Sequence, residues 1–171
     1  MNIVLIGYRA SGKTLIGKML AERLGWPYLD VDRGIEEKEG GKSIANIFET
    51  SGEPHYRDVE ASVAEEMLAR DECIISFGGG TIMRDSTQAL MSGKSKVVYL
   101  EASPEVLWER SQADPGTGKN RPNLMSGPGG PEEIVAMLEK RAPIYEHFAD
   151  LVLDATESPD QLVEQILSTL T

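Results

Sequence analysis

The sequence is short of cysteine, histidine, aromatic and cationic residues, and these shortages narrow the classes of function open to it. Cys73 is the single cysteine, so no intrachain disulfide can form and no cysteine-built zinc site is available. Lys and Arg number 17 against 28 Asp and Glu, a formal net charge of -11. A field of that sign repels nucleic acid and anionic membrane, so neither is expected as a partner. It also disfavours anionic substrates unless a few cations are gathered in one place, which makes the position of each arginine and lysine informative. No apolar run approaches the roughly 20 residues that span a bilayer. Met1-Asn2 leads only into a short apolar run with no cationic stretch before it, so a signal peptide is not expected and the expected location is cytoplasmic. The sequence has neither internal repeats nor low-complexity tracts.

What remains fits one domain. The chain has 171 residues, 40% hydrophobic and 26% charged, enough to bury a core without covalent staples. Ile3 to Ile6 reads as a short buried strand. A helix from about Gly12 to Leu24 follows, with Leu15, Ile16, Met19, Leu20 and Leu24 at helical spacing and Gly25 as its stop. Tyr28 to Val31 is a second strand. Short helices are expected at Ile35 to Glu39 and Ile44 to Thr50, split by Gly40-Gly41, and a longer one at Val59 to Ala69. Cys73 to Phe77 and Lys96 to Leu100 read as the third and fourth strands. A helix over Pro104 to Ser111 has proline in its first turn. Helix returns over Pro131 to Tyr145, Leu151 to Leu153 is a fifth strand, and Asp160 to Leu170 a closing helix. Asp114 to Pro131 is rich in Gly and Pro without apolar periodicity, the signature of a functional lid or a disordered loop. Strands alternating with helices imply a parallel sheet covered on both faces, with ligands at the carboxyl ends of its strands.

Gly7, Gly12, Lys13 and Thr14 match G-x-x-x-x-G-K-[ST]. Glycines let backbone N–H groups turn inward around phosphate oxygens, and the following helix points its positive end at the same anion. Lys13 places a mobile cation on the outer phosphates, and the Thr14 hydroxyl is suited to ligate magnesium. The same spacing can close a ligand-free glycine turn, but its place between a strand and a helix favours a P-loop. Asp30 and Asp32 flank Val31 at the end of the second strand, where alternation puts both carboxylates on one face. Such a pair can divide the tasks of holding the metal's waters and orienting the attacking nucleophile. Arg57, Arg121 and Arg141 can each clamp a carboxylate or phosphate in bidentate fashion. Arg121 lies in the lid, whose closure would carry it onto the transferring group and exclude water.

These pieces together resemble the shikimate kinase family along nearly the whole chain. The matching segments are GYRASGKT at Gly7, LDVD at Leu29, SIANIFETSGEPHYRDVE at Ser43, FGGGT at Phe77, NRPNL at Asn120 and KRAPIY at Lys140. The resemblance implies an α/β fold of the nucleoside-monophosphate-kinase type: a three-layer P-loop fold with a five-stranded parallel sheet flanked by helices and a flexible lid. It implies transfer of the ATP γ-phosphoryl group to the 3-hydroxyl of shikimate, a step of aromatic amino-acid biosynthesis, with Mg2+ as cofactor. A single domain over 1–171 is expected, with substrate binding at about 32–60, a lid at about 112–131, and a monomeric state. ATP would meet Gly7, Ala10, Ser11, Gly12, Lys13 and Thr14, with Arg110 and Pro159 flanking adenine. Thr14 would ligate magnesium and Asp30 hold its shell through water. Asp32 would bind the shikimate hydroxyls and take the proton. Arg57 and Arg141 would grip the carboxylate, Gly78, Gly79 and Gly80 would receive a hydroxyl through backbone, and Arg121 would reach the phosphates. Phe48 and Tyr56 can wall the pocket or serve as core.

Two departures from the usual family pattern stand out. Arg9 lies inside the P-loop, either as an added cation near the phosphates or pointing to solvent, and Asn123 stands where leucine is common. His55 and His147 fit no motif and read as surface or packing residues. Two other functions compete: a small P-loop kinase acting on gluconate or a nucleotide, and a nucleotide-binding regulatory module without catalysis. The Arg57–Arg141 pair suits a carboxylate better than a nucleotide acceptor. The presence of Lys13, Thr14, Asp30, Asp32 and Arg121 argues against a lost activity.

Overall fold

The first apolar run forms the centre of the molecule. Strand β1 (Asn2–Ile6) is buried along its whole length and divides its side chains between two cores, as a pleated strand must. Val4 and Ile6 point into one cluster, Ile3 and Leu5 into the other. The structure, a computed structural model, describes residues 1–113 and 130–171. Around β1 run β2 (Tyr28–Asp30), β3 (Ile74–Ser76), β4 (Ser95–Glu101) and β5 (Leu151–Asp154), all parallel, in the order β2-β3-β1-β4-β5. This is the five-stranded parallel sheet that the sequence leads one to expect.

Helices cover both faces, so the sheet is the middle of three layers. On one side α1 (Lys13–Leu24) contributes Ile16 and Leu20, and α7 (Pro159–Ser168) contributes Leu162, Val163 and Ile166. On the other lie α2 (Val31–Lys38), α3 (Ile44–Leu68), α4 (Asp85–Met91) and the inward face of α6 (Pro131–Phe148). A third, smaller cluster joins Tyr8 and Leu107 of α5 (Pro104–Ala113) to Ile134 and Met137 of α6.

Three local expectations are corrected. The second strand stops at Asp30 and Val31 is already helical, because the Asp30 side chain accepts from Arg33 N and caps α2. The expected helices at Ile44 to Thr50 and Val59 to Ala69 are one element, α3, broken only at Gly52 (φ 82°, ψ 166°). Pro54 follows that break, where a proline opens the second half with no lost intrahelical donor. Finally, α4 and a 3-10 turn at Thr81–Met83 follow the glycine triplet, where no element is expected. The expected lid, with Arg121 and Asn123, lies outside the described residues except at its ends.

Candidate active site

The register of the sheet sets the floor of the site. Leu5, Ser76 and Asp30 stand level across β1, β3 and β2, so the segments leaving these strands open on one side of the sheet. A cavity of ≈ 350 Å³ lies there, lined by Ala10, Gly12, Lys13, Thr14, Asp30, Asp32, Gly78 and Arg110 among others.

The P-loop supplies its cationic wall. Ala10 (φ 68°) and Gly12 (φ 102°) both take left-handed backbone, which bends the loop back on itself. Helix α1 opens on Gly12 with no side chain capping it, whereas Asp30, Ser43 and Ser158 cap α2, α3 and α7. Its first N–H groups are thereby left for an anion. Lys13 Nζ donates to the carbonyls of Gly7 at 2.6 Å and Tyr8 at 3.0 Å, so the ammonium is held over the loop. Arg110 ties the loop to the far edge of the sheet, donating to Ser11 O at 3.2 Å and Ala155 O at 2.7 Å. Arg9 does not project to solvent: it lines the cavity and pairs with Glu133 at 3.2 Å in the first turn of α6. Pro159 opens α7 and lines neither this cavity nor the second one described below.

Asp30 and Asp32 both face the cavity, but not through strand alternation. Asp30 is the cap of α2 and Asp32 belongs to its first turn, so the turn of the helix aims the second carboxylate. Tyr28 OH donates to Asp30 Oδ2 at 3.2 Å. Burial raises the Tyr28 pKa, and the neighbouring Asp30 charge adds to the effect.

The triplet Gly78-Gly79-Gly80 works by lacking side chains. A methyl group at Gly78 would stand 2.7 Å from Asp32 Oδ1, one at Gly79 2.7 Å from Arg141 Nη1, and one at Gly80 2.6 Å from Arg57 Nη1. Three of the candidate side chains thus lie against three consecutive backbone units. Arg57, Arg141 and Gly80 line a second cavity of ≈ 440 Å³, together with Glu53, Arg84 and Lys140. The structure therefore joins Asp32, Arg57, Arg141 and the triplet, which come from four separate stretches of chain.

Two residues that hold this site, Glu60 and Tyr145, end two of the matching segments but are not among the expected site residues. Glu60 is buried and accepts from Arg57 Nη1 at 2.8 Å and from Thr81 Oγ1 at 2.9 Å. Burial works against the Arg57 charge, but Glu60 outweighs it and raises the Arg57 pKa. Tyr145, fully buried, donates to Gly79 O at 2.5 Å. Its pKa is pushed up to about 12 by burial, with Arg141 pulling the other way. Spacing offers a retrospective signal for both. Glu60 falls on the apolar stripe of Tyr56, Val63 and Ala64, and Tyr145 sits one turn beyond Arg141. Phe48 and Tyr56 stack on each other at 4.4 Å and line neither cavity, although the Arg57 guanidinium lies over the Tyr56 ring. His55 pairs with Glu39 at 2.5 Å, away from both cavities.

A family model described as shikimate kinase matches residues 9–171. The shikimate kinase of Symbiobacterium thermophilum is 36% identical over 171 residues, covering 99% of this chain and 96% of that protein. The solved shikimate kinase from Acinetobacter baumannii, in complex with shikimate, superposes with a TM-score of 0.90 at 32% identity, covering 99% of this chain and 92% of that one. A gluconokinase from Sinorhizobium meliloti covers 99% of this chain and 90% of its own, with a TM-score of 0.62 and 20% identity. That likeness is one of fold alone.

Proposed function

The chain belongs to the shikimate kinase family, whose members are ATP-dependent kinases, and we propose that it transfers the γ-phosphoryl group of ATP to the 3-hydroxyl of shikimate. The products are shikimate 3-phosphate and ADP, in the route to the aromatic amino acids. One observation carries the acceptor: Arg57 and Arg141 converge over Gly80 and Gly79, one residue along from the Asp32 carboxylate at Gly78. Two guanidinium groups, a carboxylate and open backbone match an acceptor with one carboxylate and several hydroxyls.

In this reading the triphosphate lies in the P-loop cavity. The uncapped start of α1 and the amides of Gly7 to Thr14 receive the phosphates, and Lys13 turns from the loop carbonyls to the outer ones. Arg57 and Arg141 grip the shikimate carboxylate, and Glu60 holds Arg57 in place. Asp32 orients the hydroxyl and accepts its proton as the oxygen attacks phosphorus. Catalysis of this kind is mostly positioning and charge stabilisation. Arg121, on the lid, closes over the junction, and Arg110 and Pro159 flank the adenine.

Magnesium belongs to the same reading. Thr14 and Asp30 line the cavity with Asp32, an all-oxygen donor set of the kind a hard cation takes. No group of three His, Cys, Asp or Glu residues fit to hold a metal occurs among the described residues. That agrees with an ion held by one or two side chains, water and phosphate. Thr14 would ligate it directly and Asp30 through water, and the ion would neutralise charge developing on the phosphates. A monomeric catalytic unit is part of the same proposal. No helix among the described residues is long and apolar enough to cross a membrane, and a cytoplasmic location completes the proposal.

ADP release measured by a coupled assay tests it, with shikimate, gluconate and nucleoside monophosphates as acceptors. Turnover is expected with shikimate. Turnover with another acceptor and none with shikimate overturns the reading, and ATP binding without any transfer points to a regulatory module.

A further inference from the structure

Tyr28 takes no part in the phosphate grip or the arginine pair, yet its hydroxyl rests on Asp30, one of the two proposed magnesium-side groups. The ring packs on α1 at Gly17, where any Cβ would collide with it. Its hydroxyl donates to Asp30 Oδ2 at 3.2 Å. A carboxylate can only accept, so the single phenolic proton goes to Asp30.

We propose that Tyr28 is a positioning residue of the metal–nucleotide site, its hydroxyl holding the Asp30 carboxylate in fixed orientation at the edge of the cavity. The inference rests on the placement of magnesium at Thr14 and Asp30 given above. Outer partners of this kind typically contribute roughly 10- to 100-fold in metal affinity. Asp30 keeps a second anchor in Arg33 N at 3.2 Å, so the effect here belongs at the lower end of that range.

Tyr28→Phe separates this role from packing, since the ring against Gly17 stays and only the hydroxyl goes. Mn2+ binding to the enzyme with a non-hydrolysable ATP analogue, followed by electron paramagnetic resonance, is the direct readout. Asp30→Asn is measured alongside, and shikimate affinity by calorimetry and the Tm are taken for every variant. The expected result is Mn2+ affinity about tenfold weaker in Tyr28→Phe, with shikimate affinity and Tm close to wild type, and weaker Mn2+ binding in Asp30→Asn as well. Wild-type Mn2+ affinity in Tyr28→Phe beside a loss in Asp30→Asn overturns the inference and leaves the metal placement standing. No change in either variant overturns both. A parallel fall in Tm and shikimate affinity in Tyr28→Phe makes the role one of packing and also overturns the inference.

Discussion

Lys13 and Arg141 are both cations of a strongly acidic protein, and their settings predict different kinetic losses. The Lys13 ammonium is held by the loop's own carbonyls, and the proposed reading turns it to the phosphates whose charge builds during transfer. Lys13→Ala is expected to lower kcat by about 10²- to 10³-fold, and wild-type turnover in the coupled assay would remove Lys13 from the chemistry. Arg141 is buried to 6% exposure before any substrate arrives, so its clamp is preformed. If it holds the carboxylate equally in ground and transition states, Arg141→Ala raises the shikimate KM with kcat little changed. A lost charged hydrogen bond corresponds to roughly 10- to 100-fold in KM. Steady-state kinetics with varied shikimate checks this, and a large fall in kcat at unchanged KM contradicts the role. Arg9 has a different setting: its contact with Glu133 links the P-loop to the helix that follows the lid.

At the scale of elements, the turn after β3 is the critical piece. Its glycines are required by side chains arriving from α2, α3 and α6, since none of the three has positive φ. A new methyl at Gly79 displaces Arg141 and not the sheet. Gly79→Ala is therefore expected to raise the shikimate KM by about tenfold or more while leaving ATP affinity unchanged; equal loss of both affinities would mean that the turn itself had moved. The link from α6 to this turn also predicts a pH dependence. The Tyr145 phenol ionises near 10.0 when unperturbed and near 12 in the fold. The fold favours the neutral form, so this contribution is complete below pH 10 and is lost as pH rises toward 12. Thermal melts across that window should fall less steeply for Tyr145→Phe than for wild type. Some slope persists in the variant, because burial raises Tyr28 and Tyr99 as well. An identical slope would show that the phenol is not held neutral.

For the molecule as a whole, acceptor binding should register as stability. The second cavity is built from α3, the triplet and α6, so an occupant ties separate elements of one face together. Shikimate at about 100 times its Kd should add about 2.7 kcal/mol. For a chain of this size that is roughly 5–10 °C in Tm. Gluconate at the same concentration should leave Tm unmoved, although a gluconokinase shares the fold. A shift with gluconate and none with shikimate would reverse the assignment of the acceptor.

The order of the strands, most of the helices and the P-loop were legible in the sequence because they depend on local pattern, whereas the short α4 after the glycine triplet was not. Apolar runs bury strands, helical spacing marks faces, and a glycine–lysine–threonine loop needs only its neighbours to curl. The boundary of β2 was misplaced because Asp30, which reads as a strand residue, caps a helix. The two halves of α3 were read apart because Gly52 bends the chain without ending the helix. The resemblance named Asp32, Arg57 and Arg141, but their convergence on three consecutive glycines is a fact of three dimensions. Glu60 and Tyr145 end two of the matching segments, yet nothing local marks their roles, since their partners Thr81 and Gly79 lie far along the chain. The sequence by itself determined the sheet and the phosphate loop, which local periodicity and backbone geometry encode. Only the tertiary structure decided the proposed acceptor pocket, because the residues lining it come from α3, the turn after β3 and α6, which are distant in sequence.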